Sequence, residues 1–248
     1  MDSPNAMSPE PAPAPQDQAS VWEDFLDIFY APVQVFRRRE NGNFWIPLLV
    51  VTVLIAVLAY ANRNIMQPIF DAEFARNAAA MMKANPQLTP ALLERSRAVG
   101  FAFAQYGSIV MIPIMALLLA FVAWLLAKLF GAKLSWNAAM VVVSFALIPK
   151  VVQQVALSVQ GLLMDPANLV SRFSIEFGPA RFMDPNAIQP LMGALLDHVE
   201  LFVLWTAVLV AIGVAVIGKL PKAKAWAFGF AFWIVTMLPA LFGAWRTM

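Results

Sequence analysis

Lys150, Gln153 and Gln154 stand inside the apolar run WNAAMVVVSFALIPKVVQQVALSVQGLL, residues 136–163. A run of this length crosses a bilayer as a helix, and it carries the lysine near its middle. A lysine at that depth costs roughly 2.5–3.5 kcal/mol on insertion scales, so it needs a partner, a snorkelling route or a function. Helical spacing puts Lys150, Gln154, Leu157 or Ser158, and Gly161 on one face, with Gln153 beside it. Such a face can line a polar path for an anionic or polar solute. A structural alternative is as economical. Pro149 leaves the Phe145 carbonyl without its usual donor, and side chains lean toward the N-terminus of their own helix. The ammonium is therefore expected near that carbonyl, pointing away from Asp197 and Glu200. No acidic residue falls within the expected spans, which removes the usual partner of a proton relay and favours the structural reading.

His198 is the second candidate, flanked by Asp197 and Glu200. A histidine beside two carboxylates titrates near neutrality, and a hydrolytic role would need a serine or threonine hydroxyl within its reach. A solvated flank of the neighbouring span is the more economical expectation. The single histidine and the absence of cysteine exclude disulfides, thiolate metal sites and sites of several histidines. Phosphate-loop, zinc-protease and nucleophile-elbow motifs are missing. Neither a catalytic residue, a cofactor nor a metal is expected.

The elements that must position these residues are membrane helices. Apolar residues make up 61% of the chain and charged ones 13%, and the mean hydropathy is +0.70. Soluble domains carry about twice that charge. A net charge of +2 argues against nucleic acid as a partner. The expected class is all-α, a polytopic helical bundle of five spans at about residues 44–62, 108–130, 136–163, 201–217 and 225–245, together a membrane domain over 43–246. No cleavable signal is expected, since the first apolar run begins at Phe44. Residues 63–107 and 164–197 are non-spanning. In the former, Phe70, Phe74, Ala78 and Met81 or Met82 form a helical stripe. Asn85-Pro86 breaks it, and Thr89-Pro90 starts a helix that continues into the second span. In the fourth span Ala207, Ala211 and Ala215 form a small-residue stripe, with Gly213 and Gly218 nearby, suited to close helix contact.

Two segments precede the spans. Residues 1–19, with Pro4, Pro9, Pro11, Pro13 and Pro15, read as a disordered tail. Residues 20–42 begin with a capping box at Ser20 and Glu23. They place Trp22, Phe25, Phe29, Val33 and Phe36 at helical spacing, divide at Pro32, and end in Arg37, Arg38 and Arg39. This predicts an amphipathic helix lying at the membrane surface, or else packed on the protein's own spans. Counting basic residues at span ends puts Arg37 to Arg39, Lys128, Lys133, Lys219, Lys222 and Lys224 on one side. That side is cytoplasmic, with the N-terminus inside and the C-terminus outside.

Four stretches carry a resemblance: FLDIFYAPVQVF (25–36), LFGAKLSWNAAMVVVSFALIP (129–149), ELFVLWTAVLVAIGVAVIGK (200–219) and the final span from Lys224. In this order the chain resembles the Yip-one domain family of Ypt/Rab-interacting membrane proteins. The third stretch is the most specific, and Lys150 is not part of the family pattern. The resemblance implies five spans, a cytoplasmic N-terminus and a non-enzymatic scaffold or membrane-organising role related to trafficking. Membrane lipids, other membrane proteins or a second copy of the chain are the partners it implies, and a small GTPase only in a eukaryote. The Ala- and Arg-leaning composition reads as prokaryotic, which places the protein in the inner membrane. A small-solute transporter or channel with its path at Lys150, Gln153 and Gln154 is the alternative.

Overall fold

The computed structural model describes residues 20–85 and 87–246; the proline-rich tail lies outside them. Among those residues the ordered elements are helical. They are α1 (Val21–Tyr30), α2 (Pro32–Arg38), α3 (Trp45–Ala61), α4 (Arg63–Ala84), α5 (Pro90–Tyr106), α6 (Ser108–Leu129), α7 (Trp136–Ala146), α8 (Ile148–Leu163), α9 (Pro190–His198), α10 (Leu201–Ile217) and α11 (Lys222–Trp245), with three short 3-10 turns between α8 and α9. Among the described residues, three stretches are long and apolar enough to cross a membrane: Ser108–Leu129, Trp136–Leu163 and Lys222–Trp245. The number rises to five when each bent pair counts as one span, α3 with α4 (bent by 75°) and α9 with α10 (51°).

Local chemistry sets the helix ends. Ser20 and Glu23 close the expected capping box on α1, and Thr89 and Ser135 cap α5 and α7 through their hydroxyls. Gly131, at φ 79°, lets the chain leave α6. There the Ala132 amide bonds back to the Ala127 carbonyl at 2.8 Å, a close that L side chains resist. Gly107 keeps a helical conformation, so α5 leads into α6 as the sequence predicts.

The centre of the molecule is α7, whose residues Ala138 to Ala146 are all buried. Small residues let its neighbours approach. Ala116, Ala120, Ala123 and Ala127 of α6 are fully buried. On α10 the expected stripe divides between two faces. A Cβ on Gly229 of α11 would come within 2.7 Å of Ala211, whereas one on Gly213 would meet Val142 of α7 at 2.7 Å and Phe36 at 3.1 Å. Without a hydrophobic drive between helices in lipid, such close backbone approach supplies the attraction.

The turns carrying the basic residues meet at one end of the bundle. The Lys133 amide donates to the Gly218 carbonyl at 3.1 Å, Asn137 Nδ2 to the Gly42 carbonyl at 3.2 Å, and Lys219 Nζ lies 3.7 Å from Glu40. At the opposite end gather α4, residues 164–189, α9 and the C-terminal part of α11.

The N-terminal segment takes the second of its two expected placements, which corrects the surface-lying one. It is a hairpin packed on the bundle rather than one face laid on the membrane. Ile28, Val35 and Phe36 are buried in the core, Phe25 meets Phe145 with tilted rings at 6.3 Å, and Phe29 meets Trp205 edge-on at 5.3 Å. Chain reversal at Ala31 brings Arg38 and Arg39 onto Asp24, with Arg38 Nη2 at 2.6 Å and Arg39 Nε at 2.5 Å. Asp24 is fully buried. Of the expected membrane-surface residues, Trp22 and Arg37 are exposed, Phe25, Phe29, Arg38 and Arg39 are half-buried, and Phe36 is enclosed. The periodic stripe was real, but α1 and α2 carry apolar residues on two faces, and periodicity alone does not say which face docks.

Candidate functional site

Lys150 lies in the first turn of α8, just past the break at Leu147. Its ammonium is 3.7 Å from Glu200 Oε2. This corrects the expected direction: the lysine reaches toward Glu200, not toward the Phe145 carbonyl. The lean of a helical side chain is a bias of rotamers, and a four-carbon stem overrides it when a buried carboxylate stands within reach.

Glu200 comes to this depth for a geometric reason. The run 136–163 extends about 42 Å at 1.5 Å per residue, well beyond a hydrocarbon core of about 30 Å. Lys150 is thus near its middle, and α10, running antiparallel, begins at the same level. Glu200 is the N-cap of α10. Its Oε2 accepts from the amides of Phe202 at 3.0 Å and Val203 at 3.1 Å, so the helix dipole and the lysine both stabilise its charge. Only 4% of the Glu200 side chain is exposed, against 26% for Lys150. Glu200 Oε1 is buried with no hydrogen-bond partner among the described residues.

A polar layer covers this pair. Arg172 holds Asp197 at 2.5 Å and lies 3.9 Å from Glu176. Glu73 of α4 accepts from Ser171 Oγ at 3.2 Å and the Arg172 amide at 2.9 Å, and Arg76 donates to the Val170 carbonyl at 2.8 Å. The Gln160 amide sits between the Ile175 carbonyl and the Arg181 guanidinium, and satisfies both with its NH2 toward the carbonyl. Burial raises the Glu176 carboxyl to about 7, with Asp197 adding to the effect and Arg172 opposing it. This carboxyl can therefore take up or release a proton near neutral pH.

Gln153 and Gln154 are half-buried on the same helix as Lys150; Ser158 Oγ donates to the Gln154 backbone carbonyl at 2.7 Å. A cleft of about 1040 Å³ opens at this end between Glu73 and Arg76, Arg172, Asp197 and Arg246, and its lining does not include Lys150, Gln153 or Gln154. The structure therefore joins Lys150 to Glu200 and leaves the two glutamines outside the cleft.

His198 fastens α9 to α11. Its ring nitrogens face the Ala194 and Thr236 carbonyls, each at 3.3 Å, and its own carbonyl accepts from Trp233 Nε1 at 2.7 Å. The nearby Thr236 hydroxyl donates to the Trp233 carbonyl at 3.0 Å. The imidazole therefore meets main-chain acceptors where a triad would require a hydroxyl nucleophile.

The sequence reading missed Glu200 as the lysine's partner because the sequence places it just outside the fourth span, and the N-terminal lean of helical side chains points the lysine away from it. The available signal was its position directly before an apolar run. Glu73 with Arg76 and Arg172 with Glu176 have the spacing of local pairs, but the partners that tie the segments together, Ser171 for Glu73 and Asp197 for Arg172, lie far along the chain.

A family model described as Yip1 domain matches residues 26–244. No curated protein matches the chain, and no solved structure does.

Proposed function

Since the chain belongs to the Yip1 domain family, an integral membrane family, we propose that it acts as a non-enzymatic scaffold that organises lipids and other membrane proteins, or further copies of itself. The observation carrying this reading is that the one lysine at bilayer depth is answered internally. Lys150 is tied to Glu200, and Glu200 to two amides of α10, so the polar centre serves to fasten α8 to α10. The scaffold sits with its basic end and N-terminus in the cytoplasm and its C-terminus outside, in the inner membrane of a prokaryote. Arginines or lysines at three turns of that end support this orientation.

A transport reading has one observation in its favour: Lys150 and Glu200, at bilayer depth, adjoin Glu176 of the polar layer that covers them, a carboxyl raised to about 7. Purified protein in liposomes separates the two. The scaffold reading expects an imposed pH or chloride gradient to decay as in empty liposomes. A faster decay, abolished by Lys150→Met, would establish transport instead.

A further inference from the structure

The α1–α2 hairpin lies alongside the spans at a depth that its contacts define. Phe36 touches Gly213, about 6 Å along α10 from its basic end at 1.5 Å per residue. Phe25 reaches Phe145 and Phe29 reaches Trp205, about 13 Å and about 18 Å from the ends of their helices on the same count. Asp24 returns to Arg38 and Arg39, so both arms of the hairpin open toward the basic end and Ala31 is its deepest point. Half of a hydrocarbon core is about 15 Å. The turn thus sits near mid-bilayer, entering and leaving by the same side.

The hairpin is built for that depth. A backbone in hydrocarbon must satisfy its own polar groups. The Ala31 amide donates to Asp27 at 2.7 Å, and the Ala31 carbonyl accepts from Gln34 at 2.9 Å and Val35 at 3.3 Å. Pro32, next to the turn, has no amide hydrogen to satisfy. Side-chain polarity is also closed internally: Tyr30 donates its hydroxyl to Asp27, which accepts in turn from Arg38.

The face turned away from the bundle is apolar where it is deep and polar where it is shallow. Leu26 and Tyr30 of α1 and Val33 of α2 are exposed. Trp22 stands one turn above Leu26 on one arm and Arg37 one turn above Val33 on the other, both exposed and both of the types that favour the headgroup level. Gln34, also exposed, lies within one turn of Arg37. Exposed Lys133, Lys219, Lys222 and Lys224 occupy the same end.

We infer that α1 and α2 form a re-entrant hairpin whose Leu26–Tyr30–Val33 face contacts the acyl chains of a single leaflet, with Trp22 and Arg37 at the headgroups of anionic lipids. The inference stands independently of the scaffold reading. It replaces a helix lying flat at the surface with one that enters half of the bilayer.

The chain has no cysteine, so single nitroxide labels can be placed without other changes. Trp22→Cys, Leu26→Cys and Val33→Cys are labelled in the full chain, reconstituted in phosphatidylethanolamine–phosphatidylglycerol vesicles. Leu118→Cys on the exposed flank of α6 serves as the lipid reference and Lys219→Cys as the water reference. Labels at 26 and 33 are expected to match 118, open to oxygen and closed to a water-soluble nickel chelate, with label 22 between the two references. Replacing phosphatidylglycerol by phosphatidylcholine is expected to make label 22 more accessible to nickel. Nickel access at 26 and 33 equal to that at 219 would overturn the inference. Exclusion of both reagents there would overturn it too, showing that protein, such as a second copy, covers the face. Unchanged access at 22 after the lipid exchange would refute the anionic headgroup contact.

Discussion

Replacing Lys150 by methionine removes the cation 3.7 Å from a carboxylate that is almost fully enclosed. At an effective dielectric of about 20, that separation corresponds to about 4.5 kcal/mol of attraction. Glu200 does not lose all its support, since its two amide bonds and the start of α10 return about 1–2 kcal/mol. The expected net destabilisation is about 2.5–3.5 kcal/mol, at the low end of the usual range for removing one partner of a buried pair. Glu200→Gln should cost a similar amount by stranding the lysine. The double substitution leaves no charge, and the glutamine oxygen still accepts from the Phe202 and Val203 amides. It should therefore cost less than the sum of the singles by at least about 2 kcal/mol. Denaturant titration of the four proteins in mild detergent, followed by tryptophan fluorescence, measures this coupling. Additivity within about 0.5 kcal/mol would refute the pair as the fastening between α8 and α10.

Other expectations test the surrounding elements. Glu176 binds its proton more tightly when folded (about 7) than at its ordinary value of 4.5. Stability is therefore lost as pH rises between those values, up to about 3 kcal/mol. After correction for the base-catalysed intrinsic rate, amides across residues 170–182 should be less protected from hydrogen exchange at pH 8 than at pH 5.5, and Glu176→Gln should remove the difference. Gly213→Ala places a methyl group 2.7 Å from a Val142 methyl, and Val142 in the enclosed α7 has little room to yield. A loss of about 1–3 kcal/mol in the same titration is expected. Gly243→Ala, with nothing within 4 Å, should be neutral or add up to about 1 kcal/mol. Asp24→Asn takes the charge from the Arg38–Arg39 knot, and a label at Trp22→Cys should then become more mobile, while labels on α6 stay unchanged.

The chain's own chemistry determined that it is a helical membrane protein, because long apolar runs with few charges have no other stable solution in lipid. It also determined where most helices begin. Ser20 with Glu23, Thr89 with Pro90, and Ser135 act within a turn of their own position, so their effect is readable locally. The grouping of the basic turns was legible for a similar reason: charge at a span end is a property of that end. The small-residue stripe of α10 was legible as a contact surface, but its division between α11 and the α7–Phe36 side was not.

Tertiary structure alone decided three matters. It decided which apolar face of α1 and α2 docks, since Phe36 and Leu26 are equally apolar and only the shape of the groove beside Gly213 separates them. It decided that the segment 164–189 folds back over the bundle, with Ile175 buried and Arg172 bridging Glu176 and Asp197. It also decided where Lys150 points. Along the chain Glu200 is fifty positions away and outside every apolar run; in space, a 28-residue helix beside a 17-residue one puts the end of the short helix level with the middle of the long one. The energy of a buried charge depends on what stands within about 4 Å, and that neighbourhood is set by relative helix length and antiparallel packing, which no local pattern encodes.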